Sequence, residues 1–258
     1  MDLQLRGKRV LITGASKGIG AATAEAFAEE GCNLRLAARS RDALESLAAR
    51  LRSAHGVEVD VHVVDLRQAG DLSALAGSAS DIDVLVNNAG DIPAATLDQI
   101  DEARWRHAWE LKVFGYINLT RLIYAQMKQR GGGVIVNDLG VAGEKLTFDY
   151  IAGSTGNAAL IAFTRTLGGR SLDDNIRVVG VSPGPVETER ITTMMKARAL
   201  NQFGDESRFT ELTRAFPLGR AAHPREVADT IVFLASPRSG YTSGAVLTID
   251  GGLYARGA

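Results

Sequence analysis

Eight residues, Thr13-Gly14-Ala15-Ser16-Lys17-Gly18-Ile19-Gly20, constrain this chain more than any other stretch. Lys8-Arg9-Val10-Leu11-Ile12 precedes them as a short apolar run with β-branched residues, the pattern of a buried strand. Ile19, Ala22, Ala26 and Phe27 follow at helical spacing. Three glycines between a strand and a helix form the turn that a pyrophosphate needs. Gly14 takes the tight turn, Gly18 lets the backbone approach the phosphate, and Gly20 lets helix and strand pack closely. The amides of Ser16 to Gly20, Ile19 included, then face the anion at a helix N-terminus.

Strand and helix alternate along the rest of the chain. Strands are predicted at 33–38, 57–64, 82–86, 133–137, 177–181 and 246–249. Helices are predicted at about 41–51, 72–76, 101–127, 150–167 and 224–234, with residues 187–222 polar and irregular. This alternation predicts an α/β fold: one doubly wound parallel sheet with helices on both faces, residues 1–258 forming a single domain. Ligands in such a sheet sit at the carboxyl ends of the strands. The residues just past those ends are Gly14–Gly20, Arg39-Ser40, Asp65-Leu66, Asn87–Gly90, Asp138–Gly140 and Pro183–Thr188, all on one rim.

The chain has 258 residues, 45% of them hydrophobic, enough for one large core. A net charge of −1 argues against a nucleic-acid partner. A single cysteine, Cys32, forms no intrachain disulfide and fits a cytoplasmic setting. No apolar run is long enough to cross a membrane. Four scattered histidines give no metal-ligand spacing, so no metal is expected.

An NAD site places a carboxylate at the end of the second strand to bind the ribose hydroxyls. Here Ala38 stands there, followed by Arg39, and Lys17 adds a cation inside the glycine turn. Both would meet a 2′-phosphate, so the expected cofactor is NADP(H).

Three motifs, T-G-A-S-K-G-I-G at 13–20, N-N-A-G at 87–90, and Pro183-Gly184 followed by Thr188, resemble the short-chain dehydrogenase/reductase family across nearly the whole chain. The resemblance implies a Rossmann-like fold, a small-molecule substrate, and a dimer or tetramer joined through the two long helices. It also implies that Asp65 and Leu66 flank the adenine, that Asn87, Ala89 and Gly90 line the cofactor, and that Pro183, Gly184, Val186 and Thr188 hold the nicotinamide end. Residues 187–222 would cover the substrate, with Ile191, Met194, Met195 and Phe203 as their apolar points.

The catalytic half departs from the family, whose members carry Asn, Ser and Tyr-x-x-x-Lys. Aligned without gaps, these positions fall on Lys112, Gly140, Gly153 and Asn157. Lys and Asn have exchanged helices. Lys112 shares a helical stripe with Trp105, Trp109, Tyr116, Leu119 and Ile123, which points its amine inward. Tyr150 lies two helical turns before Asn157, at the spacing of the family's enoyl reductases, and Glu144-Lys145 resembles their loop. Helical side chains lean toward the N-terminus, which would aim the Tyr150 ring away from Gly153 unless the helix start is irregular.

The leading expectation is an NADP(H)-dependent oxidoreductase for an apolar carbonyl or alcohol, with Tyr150 as proton donor. Lys112 would assist it or contact the oxyanion, Asn157 would hold a water or orient one of them, and Asp138 is an extra proton carrier. Reduction of an enoyl thioester, and a non-catalytic NADP(H)-binding protein, are the alternatives.

Overall fold

The computed structural model describes residues 1–256. Seven parallel strands form one sheet: β1 (Arg9–Thr13), β2 (Asn33–Ala38), β3 (Val59–Val63), β4 (Val84–Asn87), β5 (Gly133–Asp138), β6 (Ile176–Pro183) and β7 (Val246–Ile249). Their order is β3-β2-β1-β4-β5-β6-β7, which reverses direction between β1 and β4. Both faces are covered, as the buried central strands β4 and β6 require. Val10, Ile12, Val84, Val86, Val136, Val179 and Val181 point to one face. There they meet α1 (Gly18–Glu29), α2 (Arg41–His55) and α9 (Pro224–Ala235). Leu11, Leu85, Ile135 and Val178 point to the other, against α3 (Ala69–Ser78) and α5 (Gly115–Arg130). Adjacent residues of one strand thus enter opposite cores, the period of two that a sheet imposes.

The predicted long helix is continuous but not uniform. α4 (Glu102–Trp109) runs through a π-helical turn, Glu110–Phe114, into α5. Lys112 sits inside that turn. π turns concentrate at functional sites because the extra residue re-aims one side chain. Asp101 caps α4, its carboxylate accepting from the Arg104 amide at 2.7 Å.

The segment expected to be irregular is largely helical. α7 (Glu189–Phe203) and α8 (Phe209–Thr213) lie within it. Thr188 caps α7, its hydroxyl accepting from the Ile191 amide. α6 (Ile151–Gly168) follows the short turn Val141–Gly143 and begins just after Tyr150.

Candidate active site

The glycine turn is built as the spacing required. Gly14 and Gly18 both have positive φ, 66° and 59°. A Cβ at Gly20 would lie 2.5 Å from the Asn88 amide nitrogen and closer still to the Gly14 carbonyl oxygen. Asn88 ties the turn down by donating to the Thr13 carbonyl at 2.9 Å and the Gly14 carbonyl at 3.2 Å. The Thr13 hydroxyl accepts from the amides of Asn88 and Ala89 and donates to the Val86 carbonyl. Asn88 was missed at the sequence level, although the N-N-A-G motif contains it. Ahead of α1 no side chain caps the helix, and the amides of Ser16, Lys17, Gly18, Ile19 and Gly20 have no acceptor among the described residues. Five free donors at a helix N-terminus fit a pyrophosphate.

Around this cradle the expected residues divide. A Cβ at Gly18 would lie 3.2 Å from Thr188 Cγ2, so the Pro183–Thr188 segment closes over the turn. Gly184 packs against Asp250, and Val186 is buried. Arg39 and Ser40 are exposed at the end of β2, Arg39 with no ion pair among the described residues. Lys17 instead pairs with Glu189 at 2.6 Å, and both are largely exposed. Such pairs contribute little, so this lysine is readily released to a better anion. Asp65 is held by Arg67, whose Nε and Nη2 reach its two oxygens at 2.9 and 2.6 Å. These bonds keep the Asp65 carboxyl below its ordinary range. Leu66 and Ala89 are buried beside them.

Asn87 stands at the carboxyl end of β4. Its side chain is 1% exposed and faces the core, not the rim. It donates to Thr120 Oγ1 at 3.0 Å and to Asn137 Oδ1 at 2.9 Å, and Asn137 donates on to Thr164 Oγ1 at 2.9 Å. This buried chain locks β4, β5, α5 and α6 together. The reason is strand alternation: Val86 and Asn88 take the other side.

Lys112, Gly140 and Asn157 gather at the end of β5, and Gly153 lies one turn before Asn157 on α6. Lys112 is drawn inward, its stem packed against Gly90, where a Cβ would lie 2.7 Å from Lys112 Cδ. Its ammonium donates to the carbonyls of Leu139 at 2.8 Å and Asp138 at 3.1 Å. It also stands 5.4 Å from the Tyr116 ring centre, and the Tyr116 hydroxyl donates to the same Asp138 carbonyl at 3.0 Å. Burial pulls the Lys112 ammonium down to about 8, a shift opposed by the Asp138 charge and reinforced by that of Arg190. Burial likewise pushes the Asp138 carboxyl up to about 6, and Lys112 opposes that shift.

Asn157 is 4% exposed, and its Oδ1 has no hydrogen-bond partner among the described residues. Its amide fills the space beside Gly140, where a Cβ would lie 2.9 Å from Nδ2. Tyr150 corrects the expectation about its direction. It sits just outside α6 with φ −137° and ψ 40°, so the lean of a helical side chain does not apply to it. Its ring lies over Gly153: a Cβ there would stand 2.5 Å from Tyr150 Cδ1 and closer to Cε1 and Cζ. The backbone is pinned by the Ile151 amide, which donates to the Ala95 carbonyl. Lys112 does not hydrogen-bond to Tyr150, as it is committed to the end of β5. The cation on the Tyr150 hydroxyl is Arg190 of α7, whose Nη2 donates to it at 2.8 Å. No periodicity or motif could have singled out Arg190, which arrives from 40 residues away.

Residues 14–254 match the profile of the family described as Enoyl-(Acyl carrier protein) reductase. The chain belongs to the short-chain dehydrogenase/reductase family. It is 34% identical to the 3-oxoacyl-[acyl-carrier-protein] reductase FabG of Thermotoga maritima, with 97% of this chain and 99% of that protein covered. It is 30% identical to the 7alpha-hydroxysteroid dehydrogenase of Escherichia coli, with 97% and 96% covered. Among solved structures, the L-sorbose reductase of Gluconobacter frateurii, complexed with NADPH and L-sorbose, superposes with a TM-score of 0.92 at 32% identity, covering 99% of this chain and all of that one. As a family member, the chain is an oxidoreductase that uses a nicotinamide cofactor. No helix among the described residues is long and apolar enough to cross a membrane.

Proposed function

We propose that this chain is an NADPH-dependent reductase of apolar carbonyl compounds in which Tyr150 supplies the proton from a displaced position. The observation that carries this reading is the Tyr150 ring over Gly153, in the space that a side chain at 153 would fill. Bound NADPH would supply the hydride to the carbonyl carbon. The O–H bond of Tyr150 breaks as a new O–H bond forms on the carbonyl oxygen, and the phenolate regains a proton from solvent. The Lys112 ammonium fixes the carbonyls of Asp138 and Leu139 at the end of β5 and adds a positive charge to the field of the site. Asn157, with an unpartnered amide oxygen, orders a water between α6 and Gly140.

Preference for NADPH is supported by Arg39, which is exposed beside Asp65, with no ion pair among the described residues, where β2 ends without a carboxylate. Leu146 and Phe148, exposed on the loop before Tyr150, and Met195, buried on α7, support an apolar substrate. Exposed Phe114 and Leu122 on the long helix are consistent with association of copies through α5 and α6.

A spectrophotometric panel of simple ketones, phenanthrenequinone and a β-ketoacyl thioester tests the reading. Y150F and K112A should each lower turnover at least about tenfold while NADPH affinity holds. Wild-type turnover in both variants would refute it. R39D should shift the preference toward NADH. An α,β-enoyl thioester belongs in the same panel, because Tyr150 stands at the enoyl-reductase spacing from Asn157. Faster reduction of that compound would reassign the reduced bond from C=O to C=C.

A further inference from the structure

The family's usual ammonium, four residues after its tyrosine, is here the neutral amide of Asn157, and the ammonium of Lys112 is spent on two backbone carbonyls. The Tyr150 hydroxyl nevertheless touches a cation. We infer that Arg190 is the positioning residue that aims the Tyr150 proton at the substrate and balances the charge left behind. The inference rests on the reading of Tyr150 as proton donor.

Arginine has donors only. The Tyr150 oxygen must therefore accept the 2.8 Å bond from Arg190 Nη2. Its own hydrogen is thereby turned away from the guanidinium, and it finds no acceptor among the described residues. A phenol held in this way presents a free O–H to a substrate oxygen. When that proton leaves, the negative charge forms against a permanent positive one. The guanidinium is itself anchored, because the same Nη2 donates to the Ile92 carbonyl at 2.6 Å, and its carbon lies 5.8 Å from the Tyr150 ring centre. Ile92 is buried in the small cluster that also packs Ala95, Ala152 and the Tyr150 ring. Arg190 thus bridges a rigid wall and the reacting hydroxyl.

Its place in the fold adds a consequence. Arg190 stands in the first turn of α7, the helix of the segment that covers the substrate. The proton donor is complete only when that helix is seated. Substrate entry and product release that lift the start of α7 would remove the cation from Tyr150. An open site would therefore be chemically weak, and closure would assemble it.

The test uses the full chain and NADPH, with phenanthrenequinone as the carbonyl probe. R190M should lower kcat by about tenfold to a hundredfold, the cost of a misaimed group, with the KM for NADPH unchanged. R190K retains a positive donor and should recover about half of that loss on a logarithmic scale. The double variant Y150F/R190M should be no slower than Y150F alone, to within about twofold, because both changes remove one unit of function. A wild-type kcat in R190M overturns the inference, as does a rise in probe KM alone, or losses that multiply in the double variant. If Y150F itself keeps full turnover, or if the wild type does not reduce the probe, the underlying reading of Tyr150 fails and the inference with it. A slow Y150F beside an unaffected R190M removes Arg190 alone.

Discussion

The substitution Gly153→Ala isolates the feature on which the catalytic reading depends. It adds one methyl group to the first turn of α6. In the present backbone that carbon would lie 2.5 Å from Tyr150 Cδ1 and nearer still to two other ring atoms. Carbon atoms in contact sit about 3.5–4.0 Å apart, so the ring must withdraw by roughly 1.5 Å. The 2.8 Å bond from Arg190 cannot survive that displacement unchanged. A misplacement of about 1 Å at a reacting group costs on the order of a hundredfold, and complete loss of a general acid costs about 10²–10⁴. The expected result is a kcat about a hundredfold lower, with NADPH affinity intact because the glycine turn is untouched. Folding stability should change by less than about 1.5 kcal/mol. Alanine gains roughly 1 kcal/mol over glycine within a helix, and this offsets part of the cost of moving the ring. Turnover of a carbonyl probe beside urea unfolding measures both quantities. Wild-type turnover in Gly153→Ala would refute the argument, because a ring pushed off its seat could not then be the proton donor.

Lys112 carries a pH signature. Its folded value, about 8, lies below the ordinary lysine value because burial disfavours the charge, so folding shifts the balance toward the neutral amine. Relative to K112M, the wild type should therefore gain stability as pH rises from about 8 to about 10.5, by roughly 3 kcal/mol in all, read from urea midpoints along a pH series. Asp138 acts with the opposite sign. Its raised value, about 6, means that the wild type loses stability relative to D138N as pH climbs from about 4 to about 6. Arg177, 7% exposed, caps the end of α9 by donating to the carbonyls of Leu234, Ala235 and Ser236 at 2.7, 3.1 and 2.9 Å. R177M leaves those acceptors without their donor and should cost about 2–4 kcal/mol in urea unfolding. Cys32 is fully buried and its thiol is pushed up to about 12, so native protein should resist a thiol reagent at pH 8 and react only on unfolding.

The sheet and the phosphate turn were legible because local rules dictate them. Gly14 and Gly18 stand where positive φ is required, and Val10, Leu11 and Ile12 alternate between two cores. Helix α7 escaped detection for an opposite reason. Of its fifteen residues, Met195 and Ala199 are the buried ones among those whose burial is described, too narrow a stripe to stand out from a polar run. The inward turn of Lys112 was legible from its stripe, but its partners were not, because the Asp138 and Leu139 carbonyls come from another strand end. The direction of the Tyr150 ring depends on one irregular residue at a helix start. Arg190 meets it only through tertiary packing, which no spacing encodes.

Two of the glycines also decide which sequences remain reachable from this one. Restoring serine at position 140 would drive its Cβ against the Asn157 amide and force a side chain onto a backbone with φ of 143°. Restoring tyrosine at position 153 would strike the ring of Tyr150. Each added side chain meets a residue that already fills its space, so that neighbour has to move or change with it. Neither side chain fits the present arrangement without a companion change. Gly140 with Asn157, and Gly153 with Tyr150, are therefore interlocked pairs, each member's size set by the other.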